Sequence, residues 1–143
     1  MPTVARVLPE DDDPVVVKSD DEWRAQLSNR EFAVLRRGGT ERPWSGEYVD
    51  TKTGGAYHCR GCGQEVFRSR TKIESTSGWA SFYAPSSAAN VQLRPDLTGR
   101  FPRIAVRCSA CHGHLGHVYD DAPQTPTGDR YSINSASVRF LPG

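Results

Sequence analysis

All four cysteines of the chain fall in two Cys-x-x-Cys pairs, Cys59 with Cys62 and Cys108 with Cys111. Two such pairs supply four thiolates, and zinc prefers this tetrahedral sulfur set in closed structural sites. A closed site has no open position for catalysis, so we predict a structural zinc. The segment between the pairs is more than twice as long as the roughly 15 to 20 residues of a simple zinc ribbon. The metal is therefore expected to join two distant hairpins.

Three further segments carry side chains suited to chemistry or binding. His114-Leu-Gly-His117 places two imidazoles three residues apart, where they fit either a metal or polar ligand or a structural surface role. Gly78-Trp79-Ala-Ser-Phe82 offers aromatic side chains that fit a binding surface or simply a core. The segment Arg130-Tyr-Ser-Ile-Asn-Ser135 alternates as a strand does, and it also fits a half-solvated edge.

Two short helices and a series of strands are predicted to position these groups. Ser19 with Glu22, and Ser28 with Glu31, have the form of capping boxes that open helices. The second helix is expected to bury Phe32, Val34 and Leu35 and to end at Gly38-Gly39. From Gly46 onward, turn residues separate short runs of β-forming residues. The predicted strands are Glu47 to Thr51, Glu65 to Arg68, Arg103 to Arg107, His117 to Asp120 and Tyr131 to Phe140.

Length and charge limit the classes of protein to consider. The chain has 143 residues, enough for one domain with a real core, and a net charge of +1. A nucleic-acid partner is not expected, because no basic face is available for phosphate contacts. No apolar run is long enough for a signal peptide or a membrane span, so we expect a cytoplasmic protein, and we expect a monomer. Residues 1–18 are predicted to form a flexible N-terminal arm and residues 19–143 the zinc domain.

Several segments agree in order and separation with one known family. They are Thr40-Glu-Arg-Pro43, the two cysteine pairs, Gly78-Trp79-x-Ser81-Phe82, His114-Leu-Gly-His117-Val118 and Arg130-Tyr-x-Ile-Asn134-Ser135-Ala-Ser137. From about Ser19 to Pro142 the chain resembles the methionine-R-sulfoxide reductase (MsrB) family. The resemblance implies a mainly β fold, a rolled antiparallel β-sheet with short N-terminal helices and a distal structural four-cysteine zinc.

The resemblance also implies an activity and a set of roles. In that family a cysteine thiolate attacks the sulfur of free or peptide-bound methionine-R-sulfoxide, releasing methionine and leaving a sulfenic acid. A second cysteine, or an external thiol such as that of thioredoxin, then reduces the enzyme. Carried over by motif, Trp79 and Phe82 would bind the substrate, and Trp79 would pack on the methyl group of the methionine sulfoxide. His114 and His117 would hydrogen-bond or protonate the sulfoxide oxygen. Arg130 and Asn134 would frame the nucleophile at position 132.

Position 132 departs from the family pattern because it is serine. Ser77 likewise occupies the place of the resolving cysteine, and Ala80 replaces the usual proline. A serine hydroxyl neither ionises readily near pH 7 nor passes through a sulfenic acid, so this cycle cannot run on Ser132. Ser132 is either an engineered replacement of a catalytic cysteine or a natural feature of a diverged paralogue.

Three functions follow from this pattern. The first is a methionine-R-sulfoxide reductase domain that is inactive as a reductase in this form. The second is a paralogue that uses Ser132, His114 and His117 as acid, base or hydrogen-bond donors in non-redox chemistry on a small polar substrate. The third is a module that binds methionine sulfoxide or a related group without turnover.

Overall fold

Two short helices precede the strands in the computed structural model, which describes residues 12–143. Helix α1 spans Asp20–Gln26 and α2 spans Asn29–Arg37. Ser19 and Ser28 each accept a hydrogen bond from the amide three residues on, and the glutamate there bonds back to the serine amide. Helix α2 ends at Gly38, whose φ of 69° lies in the left-handed region. Both predicted capping boxes and the predicted helix end are confirmed.

Nine strands form two antiparallel sheets. One sheet has three strands in the order β2-β1-β9, and the other has six in the order β3-β4-β8-β7-β6-β5. Pro95 lies on β5, the edge of the larger sheet, where a missing amide donor is tolerated. The strands are β1 Gly55–Cys59, β2 Glu65–Arg68, β3 Lys72–Ile73, β4 Ala80–Phe82, β5 Val91–Asp96, β6 Arg103–Cys108, β7 His114–Ala122, β8 Gly128–Ile133 and β9 Val138–Pro142.

Two of the predicted strands are wrong. Residues 47–50 form a turn, and the strand lies later, at β1, which the prediction missed. The predicted strand Tyr131 to Phe140 is divided, because a 3-10 turn over Ser135–Ser137 separates β8 from β9. The chain crosses from the larger to the smaller sheet at this turn, and side-chain hydrogen bonds to distant residues hold it there. The other three predictions coincide with β2 or fall within β6 and β7.

The core lies where side chains of the two sheets meet. Phe82 on β4 stacks on Phe67 of β2, with ring centroids 4.6 Å apart, and meets Tyr57 of β1 edge-on at 5.1 Å. All three rings are buried. Aromatic pairs in these orientations stabilise a core beyond the area they bury. Phe82 therefore joins the two sheets.

The first described residues run beside the second cysteine pair. The amides of Val15 and Val16 both donate to the carbonyl oxygen of Ala110, at 2.9 Å each. The carbonyl of Asp12 accepts from the side chain of Gln92. The predicted arm of residues 1–18 is thus docked in its described part, and residues 1–11 lie outside the described residues. Neither α1 nor α2, the α-helices of residues 12–143, is long or apolar enough to cross a membrane.

Candidate active site and metal centre

The four cysteine sulfurs lie together in one cluster. Their Sγ atoms are all within 4.8 Å of one another. Cys59 and Cys111 are 3.7 Å apart at sulfur, and Cys62 and Cys108 are 3.6 Å apart. Tetrahedral zinc–sulfur bonds of about 2.3 Å require sulfur–sulfur separations of about 3.8 Å. The arrangement therefore fits one tetrahedral metal ion, and all four positions match the predicted ligands.

Two equivalent turns create this arrangement. In each pair the residue after the second cysteine adopts a left-handed conformation, Gly63 with φ 87° and His112 with φ 62°. The Gly63 amide donates to the carbonyl of Cys59, and the His112 amide donates to the carbonyl of Cys108, both at 2.8 Å. These tight turns bring the two sulfurs of each pair to one side. They also explain why the first turn uses glycine, which adopts this conformation without steric cost.

Further donors surround the sulfurs. The Gly113 amide points at Cys111 Sγ from 3.3 Å, and the Gln64 side-chain amide points at Cys108 Sγ from 3.6 Å. Arg36 on α2 donates to the carbonyl of Cys111. Amide donors of this kind stabilise thiolates and orient metal ligands. The centre thus links both hairpins to helix α2.

Ser132 lies on a different part of the larger sheet. It sits on β8, directly opposite Ser81 of β4 on one side and His117 of β7 on the other. Its neighbours in sequence, Tyr131 and Ile133, face the core, and Ser132 is half-buried on the opposite face. Paired residues on adjacent strands have Cα atoms about 4.5 to 5.5 Å apart. The structure therefore brings the predicted nucleophile position beside one predicted histidine.

An irregularity in β7 brings the second histidine to the same place. In a regular strand, residues three apart point to opposite faces. The register between β6 and β7 shifts between Val106 and Arg107, opposite the segment that contains both histidines. As a result the rings of His114 and His117 meet edge-on, with centroids 5.2 Å apart.

Gly116 allows the strand to approach Ser132 closely. A Cβ atom at this position would lie 1.9 Å from the carbonyl oxygen of Ser132 and 3.0 Å from the Cα of Ile133. Because these are backbone atoms of the neighbouring strand, they cannot move aside. Glycine is therefore the residue that fits between the two histidines.

His117 has a charged partner that could not be predicted from the sequence. Its Nε2 lies 2.7 Å from Oδ2 of Asp96, at the end of β5. Hydrogen bonds from Thr98 and then from His117 hold the pKa of Asp96 well below its usual range. The ionised carboxylate only accepts, so His117 Nε2 carries the proton. Burial lowers the pKa of His117 despite the carboxylate, and the ring is neutral at pH 7 with Nδ1 left as an acceptor.

His114 is neutral as well. Burial lowers its pKa to about 4, and the nearby His117 adds to the effect. Its Nε2 is buried and has no hydrogen-bond partner among the described residues. An unpaired buried polar atom costs free energy. The ring that carries this atom meets His117, the strand partner of Ser132.

Trp79 is half-buried and fixed at its polar end. The indole Nε1 donates to the carbonyl of Glu41 at 3.1 Å. The Glu41 amide donates to Oδ1 of Asn134 at 3.0 Å, and Asn134 Nδ2 donates to the carbonyl of Leu115 at 3.2 Å. Glu41 Oε1 accepts from the amide of Ala136. Asn134 is buried in this network, so it fixes the chain just after Ser132.

The sequence assigned no role to Glu41, although it lies in one of the family-like motifs. Its backbone and carboxylate connect the Trp79 side chain to the turn after Ser132. The motif position was the only available signal. A polar residue that is buried on folding is recognised only when its partners are known.

Arg130 lies on the same strand as Ser132, two residues earlier. Its guanidinium makes two hydrogen bonds to Asp121, at 3.0 and 2.8 Å, and stacks over the ring of Tyr119. The carboxylate raises the pKa of Arg130.

Ser77, in the place of the resolving cysteine, has a buried hydroxyl without a hydrogen-bond partner in the described chain.

The predicted contact between Phe82 and substrate is not compatible with the structure. Phe82 has no exposed surface, and its ring packs inside the core. The residue lies two positions after Ala80 on β4, whose alternate side chain Ser81 is the one opposite Ser132. The sequence pattern did not say which face of β4 is buried.

The family comparison agrees with this geometry. The SelR domain family model matches residues 27–142, most of the chain. This chain belongs to the SelR (MsrB) family. Peptide methionine sulfoxide reductase MsrB of Leifsonia xyli is 48% identical over 127 residues, 89% of this chain and 91% of the relative. Proteins of the same name from Hahella chejuensis and Methanosarcina barkeri are each 50% identical over 125 residues, covering 89% and 87% of their lengths.

MsrB membership confirms two predictions made from the sequence. The family resemblance is correct, and the mainly β fold with short N-terminal helices and a four-cysteine cluster is the one observed. The cysteines of this MsrB chain fit zinc, which would supply folding stability and a fixed junction between the hairpins. The roles of individual residues around Ser132 stay predictions.

Proposed function

We propose that this MsrB domain binds methionine-R-sulfoxide and, in its present sequence, does not reduce it. The observation that carries the proposal is the pairing of Ser132 with His117 and Ser81, at the point where the family pattern requires a thiol. The chain has only four cysteines, and all four are in the metal cluster. No thiol remains for attack on a sulfoxide.

The balance of the reaction explains the loss. A thiolate attacks the sulfoxide sulfur, the oxygen is protonated and transferred, and methionine leaves while the attacking sulfur becomes a sulfenic acid. Two further thiols, or an external dithiol of the thioredoxin kind, return the sulfenic acid to a thiol and release water. Serine oxygen cannot accept this oxidation.

Binding does not depend on the thiol. The unpartnered Nε2 of His114 is suited to the sulfoxide oxygen, because a neutral imidazole donates a hydrogen bond without the cost of burying a charge. Trp79, held at its Nε1 by Glu41, offers an apolar ring for the methyl group. His117, held by Asp96 through Nε2, has an unprotonated Nδ1 that can take a proton from an attacking thiol and pass it to the departing oxygen. Zinc, when bound, stabilises the fold and takes no part in these steps.

Restoring the thiol tests the proposal. The Ser132→Cys variant should release one methionine per protein molecule from the R epimer, and mass spectrometry should find one oxygen added at position 132. Continued turnover should require dithiothreitol or a thioredoxin system, because Ser77 cannot resolve a sulfenic acid. The matched control is Ser87→Cys, which adds a thiol at an exposed site outside the β4–β8–β7 region.

Two results would contradict the proposal. One is reduction of methionine sulfoxide by the unmodified chain with its zinc retained. The other is a folded Ser132→Cys variant that binds the R sulfoxide but releases no methionine, which would show that the site has diverged at residues besides 132.

One observation favours non-redox chemistry as a second candidate. Ser132 lies next to His117, and His117 is oriented by Asp96, so a hydroxyl, an imidazole and a carboxylate follow one another across the sheet. This set suits proton transfer from the serine hydroxyl to His117 Nδ1. The test is a screen of ester and amide substrates against the parent and Ser132→Ala. Activity that survives Ser132→Ala would exclude this candidate, as would a natural gene that encodes cysteine at 132.

A further inference from the structure

The four cysteines of the metal centre differ in how far solvent reaches them. Cys59, Cys108 and Cys111 are buried, and each is at most 2% exposed. Of the four, all within residues 12–143, Cys62 alone is half-buried. The centre therefore has one sulfur-bearing side chain that a small molecule in solution can reach.

Neighbouring elements cover the buried sulfurs. The Trp23 ring of α1 lies against the first turn, since a Cβ at Gly61 would be 3.3 Å from Trp23 and 3.6 Å from Cys59 Sγ. The amides of residues 15–16 bond to the carbonyl of Ala110, inside the second pair. Helix α1 and the first described residues thus shield the centre on these sides, whereas the side at the end of the first pair stays open to solvent.

Thiolate character and exposure together decide which cysteine an oxidant attacks. A cysteine ligates metal as the thiolate, and the thiolate is also the nucleophile towards a peroxide. All four sulfurs share this form in the metal-bound centre, so exposure makes the difference between them. We propose that Cys62 is the site at which a peroxide oxidises the centre, and that this oxidation releases the zinc. The proposal does not depend on what binds at the Ser132 site.

The reaction balances with one hydrogen peroxide per centre. The Cys62 sulfur attacks one peroxide oxygen, the O–O bond breaks, the other oxygen leaves as water, and Cys62 becomes a sulfenic acid. A second cysteine thiolate then attacks the Cys62 sulfur, the S–O bond breaks, and a second water leaves as a disulfide forms. Two thiolates lose two electrons, and the peroxide takes them up with two protons from solvent. The Cys108 sulfur is 3.6 Å from that of Cys62, so a partner is within reach.

Oxidation removes two of the four ligands at once. A closed tetrahedral zinc site depends on all four, and its binding free energy is largely folding free energy. Loss of the zinc should therefore unfold the domain, which makes the centre a peroxide-sensitive switch. In this chain the four cysteines are the only thiols, so every cysteine oxidation reports on the centre.

Peroxide treatment of the zinc-loaded chain tests the proposal. A colorimetric chelator follows zinc release, circular dichroism follows the fold, and dimedone traps sulfenic acids for location by peptide mass spectrometry. At early times most of the dimedone adduct should be on Cys62. One zinc ion per chain should then be released as the fold is lost, and the disulfide that forms without dimedone should include Cys62.

A ligand exchange separates oxidation from unfolding. Cys62→His keeps four ligands, because sites with three cysteines and one histidine also hold zinc, and it removes the exposed thiolate. This variant should release zinc several-fold more slowly than the parent. The matched variant Cys111→His makes the same exchange at a buried position and should stay as sensitive as the parent.

Two results overturn the proposal. One is a dimedone adduct that appears first on a buried cysteine. The other is zinc release from Cys62→His as fast as from the parent. If the histidine variants do not bind zinc, the order of adducts in the parent decides by itself.

Discussion

The strongest prediction about the Ser132 site concerns the charge of His114 and its effect on stability. Burial lowers the pKa of His114 to about 4 from an ordinary value near 6.5. The unfolded chain therefore takes up this proton before the folded one as the pH falls. The free energy of unfolding should be constant above about pH 6.5 and should decrease between pH 6.5 and pH 4.

The size of the decrease follows from the two pKa values. At pH 5 the histidine is almost fully protonated in the unfolded chain and mostly neutral in the folded one. The free energy of unfolding should therefore be about 2 kcal/mol lower at pH 5 than at pH 7.5. His117 acts in the same direction, because its pKa is also lowered. The ordinary pKa of an aspartate is already below 4, and that of Asp96 is lowered further. The contribution of Asp96 to the free energy of unfolding therefore changes only at lower pH.

The assay is guanidinium unfolding of the parent and of His114→Gln at several pH values from 7.5 to 4.5, with zinc in excess. Zinc release in acid lowers the stability of both proteins. The difference between them in how steeply the free energy of unfolding changes with pH therefore gives the contribution of His114 alone. The loss between pH 7.5 and pH 5 should be about 2 kcal/mol smaller in the variant. Imidazole NMR gives an independent reading. Equal slopes, or titration of the His114 ring at pH 6.5 or above, would refute the burial argument.

Three further predictions concern the metal, the strand contact and the arginine. Zinc chelation, or Cys108→Ser, should unfold the domain in calorimetry, because structural zinc contributes about 10 to 16 kcal/mol and domains are rarely more stable than that; a metal-free chain with an unchanged melting curve would contradict this. Gly116→Ala should cost about 1 to 3 kcal/mol in denaturant unfolding, since its Cβ meets the neighbouring backbone, whereas Gly54→Ala, whose Cβ would make only an ordinary contact with Ser69 Oγ at 3.9 Å, should not. Asp121→Asn removes the charge of a half-exposed carboxylate paired with Arg130, and it should cost at most about 1 kcal/mol, and less at high salt, in the same measurement.

Local patterns allowed the ends of the helices and the metal ligands to be predicted from the sequence. A capping box depends on groups three residues apart, and Ser19 and Ser28 meet their glutamates within one turn. The sulfurs of each cysteine pair are likewise brought together by a single tight turn. These features form wherever the local sequence is free to adopt them, so no knowledge of the rest of the chain is needed.

Features that depend on pairing between distant segments could not be predicted in this way. The partner of His117 is Asp96, which comes near only because β5, β6 and β7 are adjacent in the sheet. The direction of Phe82 depends on which face of β4 meets β1 and β2. The turn at Ser135–Ser137 interrupts a segment that alternates like one strand, because Glu41 and Leu115 hold it through hydrogen bonds.

The histidine pair shows most clearly what depends on the local sequence and what depends on the tertiary structure. The sequence by itself placed His114 and His117 three residues apart and suggested a shared role through a family resemblance. A regular strand would have pointed them to opposite faces. The shifted register against β6, together with a glycine that lets β7 approach β8, brings both rings to one face beside Ser132. Strand register is set by packing across the whole sheet, and for that reason only the tertiary structure decided that these residues form one site.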